Sequence, residues 1–504
     1  MNSSTSWYER LSIQHIILAM IILLGFGIRI FDLTDPPLDF HPTRQLRSAI
    51  LSRAYYYQWN PSADPVIREK AVAMGQALEV YEPPILEGIV ASIYLAAGQE
   101  IWWVSRILNA IFWSIGGLAL FWISCRYTGF FASLTGLAFY LCLPFSIIAS
   151  RSFQPDPWMV MWLLLAIAGM LRWMDENRWR SGILAGLLAG LGMLVKVITV
   201  FPLALIWGGV ILSRTDWRKW LKKPQFYVAA GLAALPSIIF YIVNLGQRSA
   251  GFFSFWTLAL SHLLLQTNFY ADWLAMLHNL FGLSNILLSI LGIALAKREY
   301  RAVLAGGWIG YFIYGLFFPY QMITHEYYHL MVIALIGLSL PPVADAIFKQ
   351  LQSQHWFWRL AAIGGLVLSA GYCLFVGRSV LIARSYASEP IAWQKIGEAI
   401  PTEGKLIALT SEYGNRLMYY GWRGIAGYWP DSGDLKLFSL AGNGPMEFES
   451  YFAEKTAGMD YFLVTMFSEF DSQPDLKNKL TTNYPVLGEG DGYLLFDLRH
   501  PKNK

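Results

Sequence analysis

Charge is scarce in this sequence. Only 14% of its 504 residues are Asp, Glu, Lys or Arg, about half the roughly 25% typical of soluble proteins. So few charges cannot cover a soluble surface, which excludes an ordinary cytosolic enzyme, a coiled coil and a disordered chain together. Cysteine is scarcer still. Cys125, Cys142 and Cys373 are the only three, too few for a disulfide scaffold or a cysteine zinc ribbon, and all lie in or beside apolar stretches, as buried thiols do. The net charge of +4 is modest and its basic residues sit in short loops, which speaks for membrane topology and against a nucleic-acid partner. A Walker-type GxxxxGK[ST] loop, a Rossmann glycine fingerprint, internal repeats and low-complexity stretches are all missing.

What is abundant is apolar and aromatic: 55% hydrophobic residues, with 21 Trp, 27 Tyr and 31 Phe. The pattern predicts an α-helical polytopic membrane protein with about eleven spans, near 12–31, 100–124, 130–149, 157–174, 181–195, 197–212, 225–244, 275–296, 302–319, 330–347 and 360–377. Each is apolar all round, as lipid solvation requires. The pair 181–195 and 197–212 is short for full spans and reads as a hairpin turning at Lys196. The first span is long enough to cross and no small-residue cleavage site follows it, so it is expected to be retained.

Lys and Arg set the orientation. With the N-terminus on the cytoplasmic side, the inner loops hold Arg126; Arg172, Arg178 and Arg180; Arg214, Arg218, Lys219, Lys222 and Lys223; Lys297, Arg298 and Arg301; Lys349 and Arg359. The short outer segments hold Arg151, Lys196 and Arg248. Residues 1–377 then form the membrane domain, with an outer loop at 32–99. Residues 378–504 form a small α/β domain on the outer face. In that tail, 405–410, 461–466 and 493–498 read as strands, and 390–400 and 445–455 as helices.

No inner loop is long enough to hold a nucleotide, so chemistry is expected in the membrane or on the outer face. A donor delivered through the lipid suits that layout. The unusual polar residues gather at that depth, where ionisable groups are expensive and usually functional. Asp39 lies in Pro36-Pro37-Leu38-Asp39-Phe40-His41-Pro42-Thr43-Arg44-Gln45, Asp156 in Gln154-Pro155-Asp156-Pro157, and Lys196 between two apolar segments. His325-Glu326-Tyr327-Tyr328-His329 precedes the tenth span, and Arg106 lies within the second. Arg151 reads as a headgroup-level residue.

These positions, in this order, resemble the GT-C glycosyltransferases, in particular the branch of dolichyl-phosphate-mannose protein mannosyltransferases and lipid A aminoarabinose transferases. The resemblance runs along essentially the whole chain. Asp39 stands where the family carries its first-loop catalytic acid, and Glu82-Pro83-Pro84 resembles its Pro-Pro segment. Pro155-Asp156 matches the Pro-Asp after span three, and Gly186 to Lys196 with Pro202 matches a Gly-rich helix ending in Lys. His325, Tyr327 and Tyr328 match His-x-Tyr-Tyr. Leu417–Arg423 resembles a Tyr-Tyr…Arg stretch in bacterial members, although packing of a helix on its sheet explains Tyr419, Tyr420 and Arg423 as well.

The resemblance implies an inverting transferase. It would move a sugar from a polyprenyl-phosphate donor to a protein, lipid or glycan acceptor on the non-cytoplasmic side of a cell envelope or lumen. Asp39 and Asp156 are the catalytic candidates, with Asp39 as general base and Asp156 contacting hydroxyls or pairing with Arg44 or Lys196. Arg44, Lys196, His325, Tyr327 and Tyr328 would bind the donor phosphate and sugar. His41, Gln45, Glu82 and Arg106 are secondary candidates. No cofactor and no metal are expected: Phe40 stands where many members have a second acid, which leaves one carboxylate in that motif.

Two other classes fit parts of the sequence. His325-Glu326-Tyr327-Tyr328-His329 satisfies H-E-x-x-H, the pattern of an intramembrane zinc protease, but none of Asp345, Glu389 and Glu398 lies in a second span to complete the metal site. A transporter without covalent chemistry would more often show related halves.

The topology is directly testable. A membrane-impermeant thiol reagent applied to intact cells should label a cysteine placed at Ser432 or Ser62 and leave one at Thr215 unlabelled. Labelling at Thr215 alone would invert the orientation.

Overall fold

The computed structural model describes residues 13–442, 444 and 447–502. Residue 12 of the first expected span and residues 445 and 446 of the last expected helix fall outside that set. The helices, in chain order, are α1 Ile13–Arg29, α2 Pro42–Trp59, α3 Pro65–Gln76, α4 Ile85–Ala97, α5 Val104–Cys125, α6 Phe130–Cys142 and α7 Pro144–Ala149. They continue with α8 Pro155–Glu176, α9 Trp179–Val195, α10 Val200–Ser213, α11 Trp217–Leu221, α12 Pro224–Ser237 and α13 Gly246–Phe253. Then come α14 Thr267–Phe281, α15 Leu283–Leu295, α16 Arg298–Phe317, α17 Pro319–Thr324, α18 Leu330–Gln352 and α19 Trp356–Leu381. The chain divides into two compact units. One holds residues 1–33, 81–83 and 103–384, and the other holds 34–80, 84–102 and 385–504.

The first unit is an all-helical membrane body. Among the described residues, five helices are long and apolar enough to cross a bilayer: Val104–Cys125, Pro155–Glu176, Pro224–Asn244, Glu326–Gln352 and Trp356–Leu381. Every expected span is helical over most of its length, but several are broken. The span expected over 275–296 bends by 95° between α14 and α15. Gly282 makes the bend with φ 77° and ψ 133°, a conformation that a side chain would obstruct. The span expected over 130–149 breaks at Leu143, because Pro144 has no N–H to continue the ladder.

The hairpin expected at Lys196 is not formed. α9 packs on α8 and α12, whereas α10 packs on α16. Glycine explains the choice of partners. A Cβ at Gly186 or Gly190 would fall 2.6 or 2.4 Å from backbone oxygens of α12. One at Gly310 would fall 2.4 Å from the Pro202 Cα of α10. Small residues allow backbones to touch where lipid gives no hydrophobic drive for helices to associate.

The second unit joins the first long loop to the C-terminal residues. Its helices include α20 Glu389–Ala399 and α21 Asn415–Tyr420, and α2 packs on α3, α4 and α21. Its sheet has strands β1 Leu406–Leu409, β2 Gly427–Tyr428, β3 Tyr461–Val464, β4 Val486–Gly490 and β5 Tyr493–Asp497, in the order β2-β1-β3-β5-β4. β1 is parallel to β2 and β3, pairing Leu406 with Tyr461 and Leu409 with Val464, and β5 is antiparallel to β3 and β4. Both faces are covered, so β1 and β3 are continuous apolar runs. Leu406, Ala408, Tyr461 and Leu463 face Trp393, Ile396 and Leu417. Ile407, Leu409, Phe462 and Val464 face Trp429, Tyr451, Phe452 and Leu480 on the other side. The three strands expected from sequence are present; β2 and β4 are additional. The helix expected over 445–455 is observed at Phe448–Thr456.

Gly292 of α15 offers a test of the close crossings. A Cβ there would lie 1.9 Å from the Ser339 carbonyl oxygen of α18, whereas Gly231 of α12 has nothing within 4 Å. Gly292→Ala should destabilise the purified protein by about 1–3 kcal/mol, read as a lower thermal midpoint in detergent. Gly231→Ala should leave the midpoint level or slightly raise it. Equal midpoints for the two variants would contradict the crossing.

Candidate functional site

The first unit carries a buried ion pair. α8 begins with Pro155 at its first position, which is pre-organised for a helix start. Asp156 follows in the first turn, where the helix end favours a negative charge. α9 ends at Val195, and Lys196 adopts extended backbone (φ −155°, ψ 112°) before a short 3-10 turn. That swing turns the Lys196 ammonium onto the Asp156 carboxylate, and Nζ donates to Oδ1. Asp156 is 0% and Lys196 5% exposed. A lone buried charge at this depth would cost several kcal/mol, and the pair offsets much of that.

Two tyrosine rings cover the ammonium. Nζ lies 5.2 Å from the centroids of both Tyr327 and Tyr328, within cation–π range. Tyr328 in turn stacks on Tyr314 of α16, centroids 6.3 Å apart and planes 7° apart. The other Asp156 oxygen and the Tyr314 hydroxyl are both buried with no hydrogen-bond partner among the described residues. Buried polar atoms are rarely left so, and here they give the cluster capacity for a polar ligand.

The 325–329 segment is not the helical turn that an H-E-x-x-H zinc site needs. His325 is extended (φ −130°, ψ 105°), and Glu326–His329 form a 3-10 turn. Both His329 ring nitrogens are occupied: Nδ1 by the Tyr311 hydroxyl at 2.6 Å and Nε2 by the Met322 carbonyl at 3.1 Å. His325 Nδ1 meets the Thr324 hydroxyl at 2.7 Å. His325 is half-buried, beside the Tyr327 and Tyr328 rings.

Arg106 and Arg151 serve the backbone. Arg106 Nη1 donates to the Asp32 and Leu33 carbonyls at 3.3 and 3.0 Å. Arg151 donates to the Phe31 and Asp32 carbonyls and is buried within the protein. Glu82 is half-buried ahead of α4.

The second unit carries the first-loop candidates. Gln45 Nε2 donates to Asp39 Oδ1 at 3.0 Å and to the Phe40 carbonyl at 2.7 Å, which fixes the carboxylate relative to the start of α2. Gln45 is fully buried and Asp39 half-buried. His41 caps α2 in the left-handed region (φ 45°, ψ 67°) and sets its ring edge-on to Phe40 at 4.7 Å. Such backbone costs about 1–3 kcal/mol and persists only where its surroundings impose it. Arg44 occupies the first turn of α2, half-buried, its N–H donating to the His41 carbonyl at 3.0 Å.

Deeper in this unit, Arg53 is clasped by the Tyr419 and Trp422 rings, 4.1 and 4.3 Å from their centroids, and pairs with Glu100 at 2.9 Å. Burial works to lower its pKa, but Glu100 and Tyr419 outweigh burial and hold the guanidinium above its usual value. Arg423 donates to the Thr402 and Gly404 carbonyls, a packing role. Sequence reasoning did not single out Arg53, Glu100 or Tyr314. Nothing in local spacing marks them, because their partners lie far along the chain.

Residues 82–243 match the family model described as dolichyl-phosphate-mannose-protein mannosyltransferase. No curated protein matches the chain in sequence. Among solved structures, the chain is similar to ArnT from Cupriavidus metallidurans bound to undecaprenyl phosphate, with TM-score 0.60 and 15% identity over 95% of this chain and 97% of that one. The apo state of ArnT gives TM-score 0.60 and 15% identity, over 96% and 98% of the two chains. The archaeal oligosaccharyltransferase AglB from Archaeoglobus fulgidus, in complex with an inhibitory peptide and a dolichol-phosphate, gives 0.55 and 14%, over 99% and 75%. The chain therefore shares its fold with ArnT and AglB.

The ion pair should respond as a pair. Asp156→Asn, or Lys196→Met alone, leaves one buried charge uncompensated and should cost about 3–5 kcal/mol of stability. The double variant should recover most of that loss. Losses that simply add, measured by thermal unfolding in detergent, would refute the coupling.

Proposed function

We propose that the protein is a glycosyltransferase. It takes a sugar from a polyprenyl-phosphate donor and passes it to a hydroxyl-bearing acceptor on the non-cytoplasmic face of the membrane. The observation that carries this reading is the buried Lys196–Asp156 pair under Tyr327 and Tyr328. Both charged residues lie within 82–243, the part that matches the mannosyltransferase family, and the surrounding fold is shared with proteins solved with lipid phosphates. A desolvated ammonium held by a single carboxylate retains two further N–H donors. A phosphate in a low-dielectric pocket needs such a cation most as its leaving charge develops.

In the proposed reaction the acceptor O–H gives its proton to Asp39. The acceptor oxygen forms a bond to the anomeric carbon from the side opposite the phosphate, and the bond from that carbon to the phosphate oxygen breaks. Polyprenyl phosphate leaves with the bonding pair, and the anomeric configuration inverts. Asp39 suits the role of base because Gln45 fixes its orientation and a positioned carboxylate accelerates proton transfer. Lys196 holds the phosphate, Tyr327, Tyr328 and His325 border it, and Arg44 is a further candidate for binding the donor. Asp156 tethers Lys196. The zinc-protease reading is not supported, because His329 is committed to Tyr311 and Met322.

Complementation of a gene-deleted host, read by mass spectrometry of its membrane glycans and lipids, tests the reading and identifies the sugar. Wild type should restore one missing hexose or pentose. Asp39→Asn should slow transfer by about 10²–10⁴-fold while binding of undecaprenyl phosphate to the purified protein persists. Lys196→Met should weaken that binding. Full restoration by Asp39→Asn would remove the base from Asp39, and a glycan profile indifferent to the gene would remove the function.

A further inference from the structure

A second charged surface, remote in sequence from the first loop, lies where two helix-to-helix turns of the first unit meet. One turn joins α8 to α9 through Asn177 and Arg178. The other joins α10 to α12 and contains the short α11. Lys223 ties the two turns together by donating to Asn177 Oδ1 at 2.7 Å, and α9 packs along α12 beneath them.

The basic residues here fall into two groups. Arg126 grips Asp175 through both terminal nitrogens, Arg214 pairs with Glu299 at 3.2 Å, and Arg172 pairs with Glu176 at 2.7 Å. These three arginines use the carboxylates at this end of the helices, and the Tyr127 hydroxyl adds a bond to Glu299 at 3.0 Å. The second group is Arg178, Arg180, Arg218, Lys219 and Lys222. All five are exposed, and none pairs with a carboxylate among the described residues. Asp216 is the one acid interspersed among them in sequence.

This group is held in place at the helix ends. Trp220 of α11 is buried, 5.5 Å edge-on from Trp173 of α8 and 3.5 Å beneath the Lys223 ammonium. α11 is therefore pinned at the level where the apolar helices end. Around it, Trp179 and Leu212 are exposed at 48% and 58%, and Arg218 lies over the Trp217 ring at 5.1 Å. Apolar helix flanks, tryptophans and exposed cations stand together at these helix ends. That is the combination of environments in a bilayer leaflet from acyl chain through interface to headgroup.

We infer that this surface binds anionic phospholipid headgroups: Arg178, Arg180, Arg218, Lys219 and Lys222 form a seat for the phosphodiesters of acidic lipids, with Trp179 and Trp217 at the acyl-chain boundary. The inference stands independently of the transferase reading, because none of these residues belongs to the proposed reaction.

The test uses the full-length protein in detergent, titrated with phosphatidylglycerol or with phosphatidylcholine. Lipid retention is followed by native mass spectrometry and stability by thermal midpoint. Wild type should retain phosphatidylglycerol at least about tenfold better than phosphatidylcholine, since each basic residue near an anionic surface contributes on the order of 1 kcal/mol. Arg218→Gln/Lys219→Gln/Lys222→Gln should lose most of that preference and most of the lipid-induced rise in midpoint. Lys395→Gln/Lys405→Gln/Lys436→Gln, an equal loss of charge at exposed sites of the second unit, should keep both. Equal retention of the two lipids by wild type, or an equal fall in both triple variants, overturns the proposal. So does a matching midpoint shift with glycerol 3-phosphate, which would assign the surface to soluble phosphate. Should the first triple variant fail to fold, Arg178→Gln/Arg180→Gln poses the same question on the neighbouring turn.

Discussion

Within an apolar surround, a polar group that leaves regular helix has nowhere to find water, so it must find a partner inside the protein. That constraint organises the membrane body. When Pro144 interrupts the helix after Cys142, it strands carbonyls that would otherwise accept along the ladder. Arg29, at the end of α1 and fully buried, reaches across to supply what is missing. Its guanidinium bonds the Leu141 carbonyl, the Gly25 carbonyl and the hydroxyls of Ser146 and Ser150. Ser146 in turn bonds the Tyr140 carbonyl at 2.5 Å, and Trp113 donates to it at 3.2 Å. Where the chain leaves α1, Arg106 and Arg151 repeat the arrangement for the carbonyls of residues 31–33. These arginines supply donors to carbonyls that breaks in helices leave open. Lys196 donates to a carboxylate and lies under two aromatic rings.

The same constraint explains how much of the molecule can be read from its sequence. Apolar runs of suitable length locate the helices because lipid solvation acts on each segment by itself. Breaks are legible where a single residue type enforces them, as Pro144 does. They are less so at Gly282, which looks like any other glycine of an apolar run until its φ of 77° is known. Partner choice is not local at all. The shortness of 181–195 and 197–212 suggests a hairpin turning at Lys196, yet Gly186 and Gly190 serve contacts with α12 across residues 229–233.

The site follows the same rule. Asp39, Asp156 and Lys196 stand out in sequence because charges are conspicuous among apolar neighbours, and a pair with Lys196 is among the expectations for Asp156, beside a pair with Arg44 and contact with hydroxyls. Arg53 is inconspicuous because a charge in a long polar loop is unremarkable, and Glu100 because it stands at the very edge of an expected span. Tyr314 escapes notice because a tyrosine in an aromatic-rich helix reads as packing. Its significance comes from stacking on Tyr328 and from a buried hydroxyl without a hydrogen-bond partner among the described residues. A residue whose role is defined by a distant segment leaves little trace in its own.

The composition of the second unit bears on how the protein is made. Its first portion ends at residue 102 and the remainder begins at 385, so nearly the whole membrane body is translated between the two. At ordinary rates of synthesis that separation lasts on the order of tens of seconds. During this interval Arg53 has Glu100 but neither aromatic ring, and α2 lacks the helix that packs against it. A nascent or truncated chain thus displays an unfinished surface that closes only when Tyr419 and Trp422 arrive. Completion of this unit therefore waits for residues that are translated after the whole membrane body.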